Sequence, residues 1–192
     1  MKKHRLEAFS DGVIAIILTV MVLDLKVPLG DHLSSLLPVL PVFMSYVLSF
    51  VYLGIYWNNH HHMLYTCETV TGSVLWVNLH LLFWLSLIPF TTAWMGQNHF
   101  AAVPEAGYGL VLLMASIAYW LLQHRIIASQ GNDSVLRKAI GKDWKGKISP
   151  VLYATAIGLA FLSHWIAIGI YVLVALIWVV PDRRIERMLT AK

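Results

Sequence analysis

The sequence predicts an all-α integral membrane protein, a six-helix bundle, and three observations carry that reading. First, the 192 residues are 58% hydrophobic and only 12% charged, and the mean hydropathy is +0.68. A soluble domain carries about a quarter charged residues. Second, the apolar residues fall in repeated runs close to the roughly 17–25 residues that a membrane helix needs. Third, counting six spans sorts nearly all basic residues onto one face. The single cysteine, Cys67, excludes an intramolecular disulfide and a cysteine-based zinc site.

The first window, 6–25, follows the basic start Met1–Arg5 and superficially resembles a secretory leader. Ser10 and Asp11 interrupt the join, no small-residue cleavage site follows, and further spans come later, so it reads as a mature helix. Pro28-Leu29-Gly30-Asp31 then breaks the chain ahead of the second window, 36–59. Thr71-Gly72-Ser73 precedes the third window, 72–95, and Gly96-Gln97-Asn98 precedes the fourth, 106–128. Gly131-Asn132-Asp133 opens a polar, basic loop that runs to Lys147. The last apolar region divides at Ser163-His164-Trp165 into windows 149–163 and 166–180. A single helix over 149–180 would run some 48 Å, too long for one crossing. Residues 1–192 therefore read as one six-span domain.

Of the 14 Lys and Arg residues, 13 fall on the face that holds both termini: Lys2, Lys3, Arg5, Arg125, Arg137, Lys138, Lys142, Lys145, Lys147, Arg183, Arg184, Arg187 and Lys192. Only Lys26 falls on the other. The positive-inside rule then predicts a multi-pass protein of the cell membrane with both termini cytoplasmic. The net charge of +4 is thus a matter of orientation, and no nucleic-acid partner is expected. On the outer face Asp24, Asp31 and Glu105 stand against Lys26, a formal charge of −2. A negative mouth concentrates cations, with Asp24 nearest the end of the first helix.

The first helix carries the strongest functional signal. Arg5, Ser10 and Asp11 sit at the mouth of an apolar segment, where ionisable groups are costly unless partnered. One helical face reads Phe9, Gly12, Ile16, then Thr19 or Val20, then Leu23 and Val27. That stripe suits close helix packing. It also suits a pore wall, since rings of bulky apolar side chains around an axis gate by dewetting and discriminate ions by the cost of removing water. One subunit has no polar midplane cavity to conduct alone, and rotational symmetry supplies the missing wall.

Three elements resemble the transmembrane protein 175 family of lysosomal-type potassium channels and their bacterial relatives. They are Arg5-x-x-x-Phe9-Ser10-Asp11 ahead of an Ile/Leu/Val-rich helix, Tyr56-Trp57-Asn58-Asn59-His60-His61, and Asn78-Leu79-His80 through Pro89-Phe90. They stand in the expected order over roughly residues 5–95, while the later spans match only in kind. The resemblance implies the single-repeat bacterial form, a homotetramer around a pore lined by the first helix. It implies stacked constriction rings at Ile16, Val20 and Leu23. Thr19 matches a threonine given a selectivity role, and so competes with Val20 for the axis. No TVGYG-type carbonyl filter is present, so only a modest preference for potassium over sodium is expected.

Arg5, Ser10, Asp11, Trp57, His61 and Asn78 fall near the cytoplasmic ends of the first three spans. In a low dielectric such a set is expected to hydrogen-bond together, and the resemblance implies that it holds the pore helix in place. Neighbouring histidines in His60-His61-His62 point about 100° apart and do not converge on a metal, and no metal or cofactor is expected. Histidine titrates near neutrality, so packing and acid modulation both remain open readings of His61. Catalysis has no support: nucleophile elbow, phosphate-binding loop, H-E-x-x-H and CxxC motifs are all missing. The expected function is passive conduction of potassium and other monovalent cations across the lipid bilayer. The alternatives are a proton-coupled secondary transporter or a proton-permeable channel.

Overall fold

The computed structural model describes residues 3–131, 134–141 and 143–179. Lys2, Lys142, Arg183, Arg184, Arg187 and Lys192, counted on the basic face above, lie outside the described residues. So does the end of the sixth window at residue 180.

Helix α1 spans Lys3–Met21 and tightens into a 3-10 turn at Val22–Asp24. Leu6, Ser10, Ile14, Ile17 and Met21 are buried on it, a repeat of three and four that defines one inward face. A 3-10 segment over Leu33–Val39 leads into α2, Leu40–Tyr65. Pro41 sits in the first turn of α2, where a missing N–H costs nothing. The second window stopped at 59, but the helix continues to Tyr65 because Asn59, His60, Met63 and Leu64 keep its buried face going.

The third window forms one passage, Gly72–Gln97, built from two helices, α3 (Gly72–Ser86) and α4 (Ile88–Gln97). Thr71 caps α3, its Oγ1 accepting from the Val74 N–H at 3.4 Å. Pro89 explains the break: it has no N–H for the ladder and occupies the first turn of α4, where proline fits. At the far end of α4, a Cβ on Gly96 would lie 2.7 Å from Val42 Cα, so only glycine admits this α2–α4 crossing.

Helix α5 covers Ala102–Gln130 and forms the centre of the bundle, packing on α3, α4, α7 and α8. The polar loop after it contains structure that its composition did not announce. A short helix α6, Val135–Ile140, is capped by Ser134, and α7, Trp144–Leu159, is capped by Asp143, whose Oδ1 accepts from the Gly146 N–H at 3.2 Å. The fifth helix of the bundle thus starts five residues earlier than its window and ends four earlier. After the turn at 160–163, α8 covers His164–Val179.

Among the described residues four helical passages are long and apolar enough to cross a membrane: Lys3–Asp24, Leu33–Tyr65, Gly72–Gln97 and Ala102–Gln130. A shorter apolar helix, His164–Val179, accompanies them. The chain is an all-helical, multi-pass membrane protein.

The core is knitted by hydroxyls rather than by apolar packing alone. Ser49 Oγ lies 2.6 Å from Thr92 Oγ1 and 3.0 Å from Tyr108 Oη, and Tyr52 Oη donates to the Tyr171 carbonyl at 2.6 Å. Where little water competes, such bonds tie α2 to α4, α5 and α8.

Glu105 corrects the outer-face charge count. It is fully buried in the first turn of α5, and neither carboxylate oxygen has a side-chain hydrogen-bond partner among the described residues. A charge so placed contributes little to a surface field and costs the fold its desolvation. Glu105→Gln keeps the shape and removes the charge. We expect Tm to rise by about 3 °C in thermal unfolding of the detergent-solubilised protein; a fall would mean that the carboxylate has a stabilising partner.

Candidate functional site: the exposed face of the first helix

Helix α1 divides into two faces. The inward one is packed on α2, α3 and α4. The outward one carries the stripe read from the sequence: Phe9 is 51% exposed, Ile16 63%, Val20 43% and Leu23 79%. Gly12, Ala15 and Thr19 are exposed between them. Within a single subunit the bulky groups of this stripe touch little, and their side chains are free to meet lipid or another copy.

Thr19 and Val20 both lie on the exposed side. The Thr19 hydroxyl donates to the Ile16 carbonyl one turn back at 2.9 Å. Its hydrogen is thereby used within the helix, leaving oxygen lone pairs to face outward. Asp24 stands half-exposed in the 3-10 turn that ends the helix, with Lys26 exposed two residues on.

Polar contacts tie α1 to α2 and α3, and they form two groups rather than one network. In the first, Asn78 Nδ2 on α3 donates to Ser10 Oγ at 3.0 Å, and Asn78 Oδ1 lies 2.7 Å from His60 Nε2 on α2. The amide oxygen only accepts, so His60 carries its proton on Nε2. All three residues are buried. In the second group, Trp57 Nε1 donates to Asp11 Oδ1 at 3.0 Å, half in solvent, and the His61 ring stacks on Trp57 with centroids 6.3 Å apart. Ser10 and Asp11 are adjacent, so the two groups grip α1 from α3 and from α2.

Arg5 stands apart from both. It is exposed and has no hydrogen-bond or ion-pair partner among the described residues. The base of α1 is held instead by Lys3, which donates to the Tyr65 carbonyl at the end of α2 and lies 3.8 Å from Glu7.

His60, the end of the buried chain that donates to Asn78, was not in the hydrogen-bonding set read from the sequence. A signal existed. Following the buried positions Ser49, Tyr52, Tyr56 along α2 by threes and fours arrives at His60, not His61. His80 is satisfied locally, its Nε2 accepting from Trp84 Nε1 at 2.8 Å.

The family model described as the endosomal/lysosomal potassium channel TMEM175 matches residues 5–89, which hold the stripe and both polar groups. A potassium channel from a Chryseobacterium species is 56% identical over 189 residues, covering 98% of this chain and 98% of that protein. A potassium channel of Chamaesiphon minutus is 31% identical over 188 residues, covering 90% of this chain and 91% of its own length. Among solved structures, the crystal structure of a lysosomal potassium-selective channel TMEM175 homolog from Chamaesiphon minutus superposes with a TM-score of 0.82. It shares 28% identity and covers 94% of this chain and 97% of its own.

Proposed function

The chain belongs to the endosomal/lysosomal potassium channel TMEM175 family, a family of ion channels rather than enzymes, and from that premise we propose that it is a potassium-preferring cation channel of the cell membrane. Conduction is passive and runs along the axis of a homotetramer, with α1 of each subunit lining the pore. The observation that carries this reading is the exposed apolar stripe on a helix whose other face is buried and pinned. Ile16, Val20 and Leu23 then form successive constrictions, with Thr19 contributing oxygen lone pairs between the first two.

An apolar ring offers no replacement for lost hydration, so the ion that is easier to dehydrate passes more readily. Potassium holds its water less tightly than sodium, and the preference is modest because no carbonyl cage sharpens it. Asp24 at the end of each α1 adds negative potential that draws cations to the mouth. Asn78, Ser10, Asp11 and Trp57 hold the helix at the angle that presents the stripe, and His61 backs the Trp57 ring. Arg5, lacking a partner within one subunit, is available to a neighbour across the tetramer interface.

Residues 1–192 form one domain of six crossings: α1, α2, the α3–α4 pair, α5, α7 and α8. Lys3, Arg5, Arg137 and Lys147 at one end and Lys26 at the other support termini that are both cytoplasmic. Purified protein in planar bilayers under a potassium gradient tests the proposal. It predicts unitary current steps whose reversal potential follows potassium. Small saturating fluxes without steps, or currents that reverse with the proton gradient alone, overturn it.

A further inference from the structure

A feature remote from α1 carries a second ligand site. Between the last turns of α5, helix α6 and the start of α7 lies a groove of about 610 Å³. It is lined by Trp120, His124, Ile127, Arg137, Ile140 and Lys147, among others. Arg137 and Lys147 are exposed, and neither side chain has a hydrogen-bond or ion-pair partner among the described residues. The one carboxylate among the described lining residues, Asp143, is already engaged: Oδ2 accepts from Gln123 Nε2 at 2.9 Å and Oδ1 from the Gly146 N–H at 3.2 Å. Among the described residues the groove therefore presents two cations without a side-chain partner and a histidine, with apolar walls.

Its height in the bilayer follows from helix length. At 1.5 Å per residue, about 20 residues of α5 counted from Ala102 cross the roughly 30 Å hydrocarbon layer, reaching about Leu122. The groove begins there, at Trp120, whose ring lies 4.0 Å from that of His124. An indole with apolar neighbours at this depth marks the boundary between acyl chains and headgroups. Ile127 and Ile140, further from the hydrocarbon, supply apolar surface beside the headgroup and its glycerol.

We propose that this groove binds the headgroup of an anionic phospholipid. Arg137 and Lys147 hold the phosphate oxygens through charge-assisted hydrogen bonds, and His124 flanks them. A freely dissolved phosphate shares the same charge, but it has no use for the apolar wall or for a site at the membrane boundary.

Thermal unfolding of the full-length, detergent-solubilised protein during titration with phosphatidylglycerol tests the idea. Phosphatidylcholine and inorganic phosphate serve as separate arms. The expected result is a rise in Tm of about 5 °C with phosphatidylglycerol at a hundredfold excess over its Kd, and none with the other two. The double variant R137Q/K147Q, altered only at exposed positions, should need at least about tenfold more phosphatidylglycerol for the same rise. K26Q at the opposite face should titrate like the unaltered protein. An equal response to phosphatidylcholine, a response to phosphate alone, or an unchanged titration in R137Q/K147Q each overturns the assignment.

Discussion

Ile16→Asn is expected to produce a leaky channel that no longer separates potassium from sodium. Ile16 is among the more exposed of the large apolar residues on α1, and it is the first of them past the Ser10–Asp11 anchor. In the proposed tetrameric pore its four copies would form the first dry ring past that anchor. A dry ring resists ions because the hydration shell is stripped and nothing replaces it. Asparagine is nearly as large, so the bore changes little, yet its amide offers an oxygen and an N–H to water and ions. The ring becomes wettable. Unitary conductance should rise at least about tenfold, which corresponds to removing about 1.4 kcal/mol from the barrier. The potassium-to-sodium permeability ratio from bi-ionic reversal potentials should fall towards one. Ile16 is on the exposed face, so the variant should melt at the temperature of the parent protein. Parent-like currents in I16N would move the constriction to Val20 or Leu23.

The phase of α1 was legible in the sequence because one helix obeys its own period. The stripe Phe9, Gly12, Ile16, Leu23 is the exposed face, and Leu6, Ile14 and Ile17 lie on the buried one. What the sequence hid depends on how helices meet. Arg5, Ser10, Asp11, Trp57, His61 and Asn78 read as one network, but the contacts of the last five divide into two groups and leave Arg5 out, a division that follows from the relative rotation of α2 and α3, which no local pattern encodes. The same rotation decides that His60 turns inward to Asn78 while His61 stacks outside on Trp57. Glu105 looked like a surface acid because an acidic residue in the first turn of a helix usually is one. Only the packing of α5 in the middle of the bundle buries it. The break at Leu87 was foreshadowed by Pro89, and the early start of α7 by the Asp143-x-x-Gly146 cap. Both are local signals, set by a proline and a side-chain cap rather than by hydropathy.

Asn78→Ala is expected to cost more than any other single change among the polar contacts of α1. Asn78 is fully buried and uses both ends of its amide, one on Ser10 and one on His60, which are themselves buried. Removing it leaves a hydroxyl and an imidazole N–H without partners, each at about 1–3 kcal/mol. The total is about 3 kcal/mol, equivalent to a fall in Tm of roughly 6–12 °C for a chain of this length. Trp57→Phe provides the contrast. It deletes the bond to Asp11 but keeps a ring for His61, and Trp57 is 46% exposed, so water replaces the lost donor and the melting temperature should barely move. A double-mutant cycle between Ser10→Ala and Asn78→Ala separates the bond from the cavity. Coupling of at least about 1 kcal/mol means that the pair acts as a unit, whereas additive losses mean that Asn78 matters only as volume. The functional readout follows from geometry. With α3 no longer holding Ser10, α1 is free to rotate about the remaining Trp57–Asp11 contact, and the stripe no longer meets the axis squarely. N78A should therefore lose both stability and regular unitary steps, while W57F keeps the first. If N78A melts and conducts like the parent protein, the azimuth of α1 is set by apolar packing of Ile14 and Ile17, and the buried amide chain is incidental to the pore.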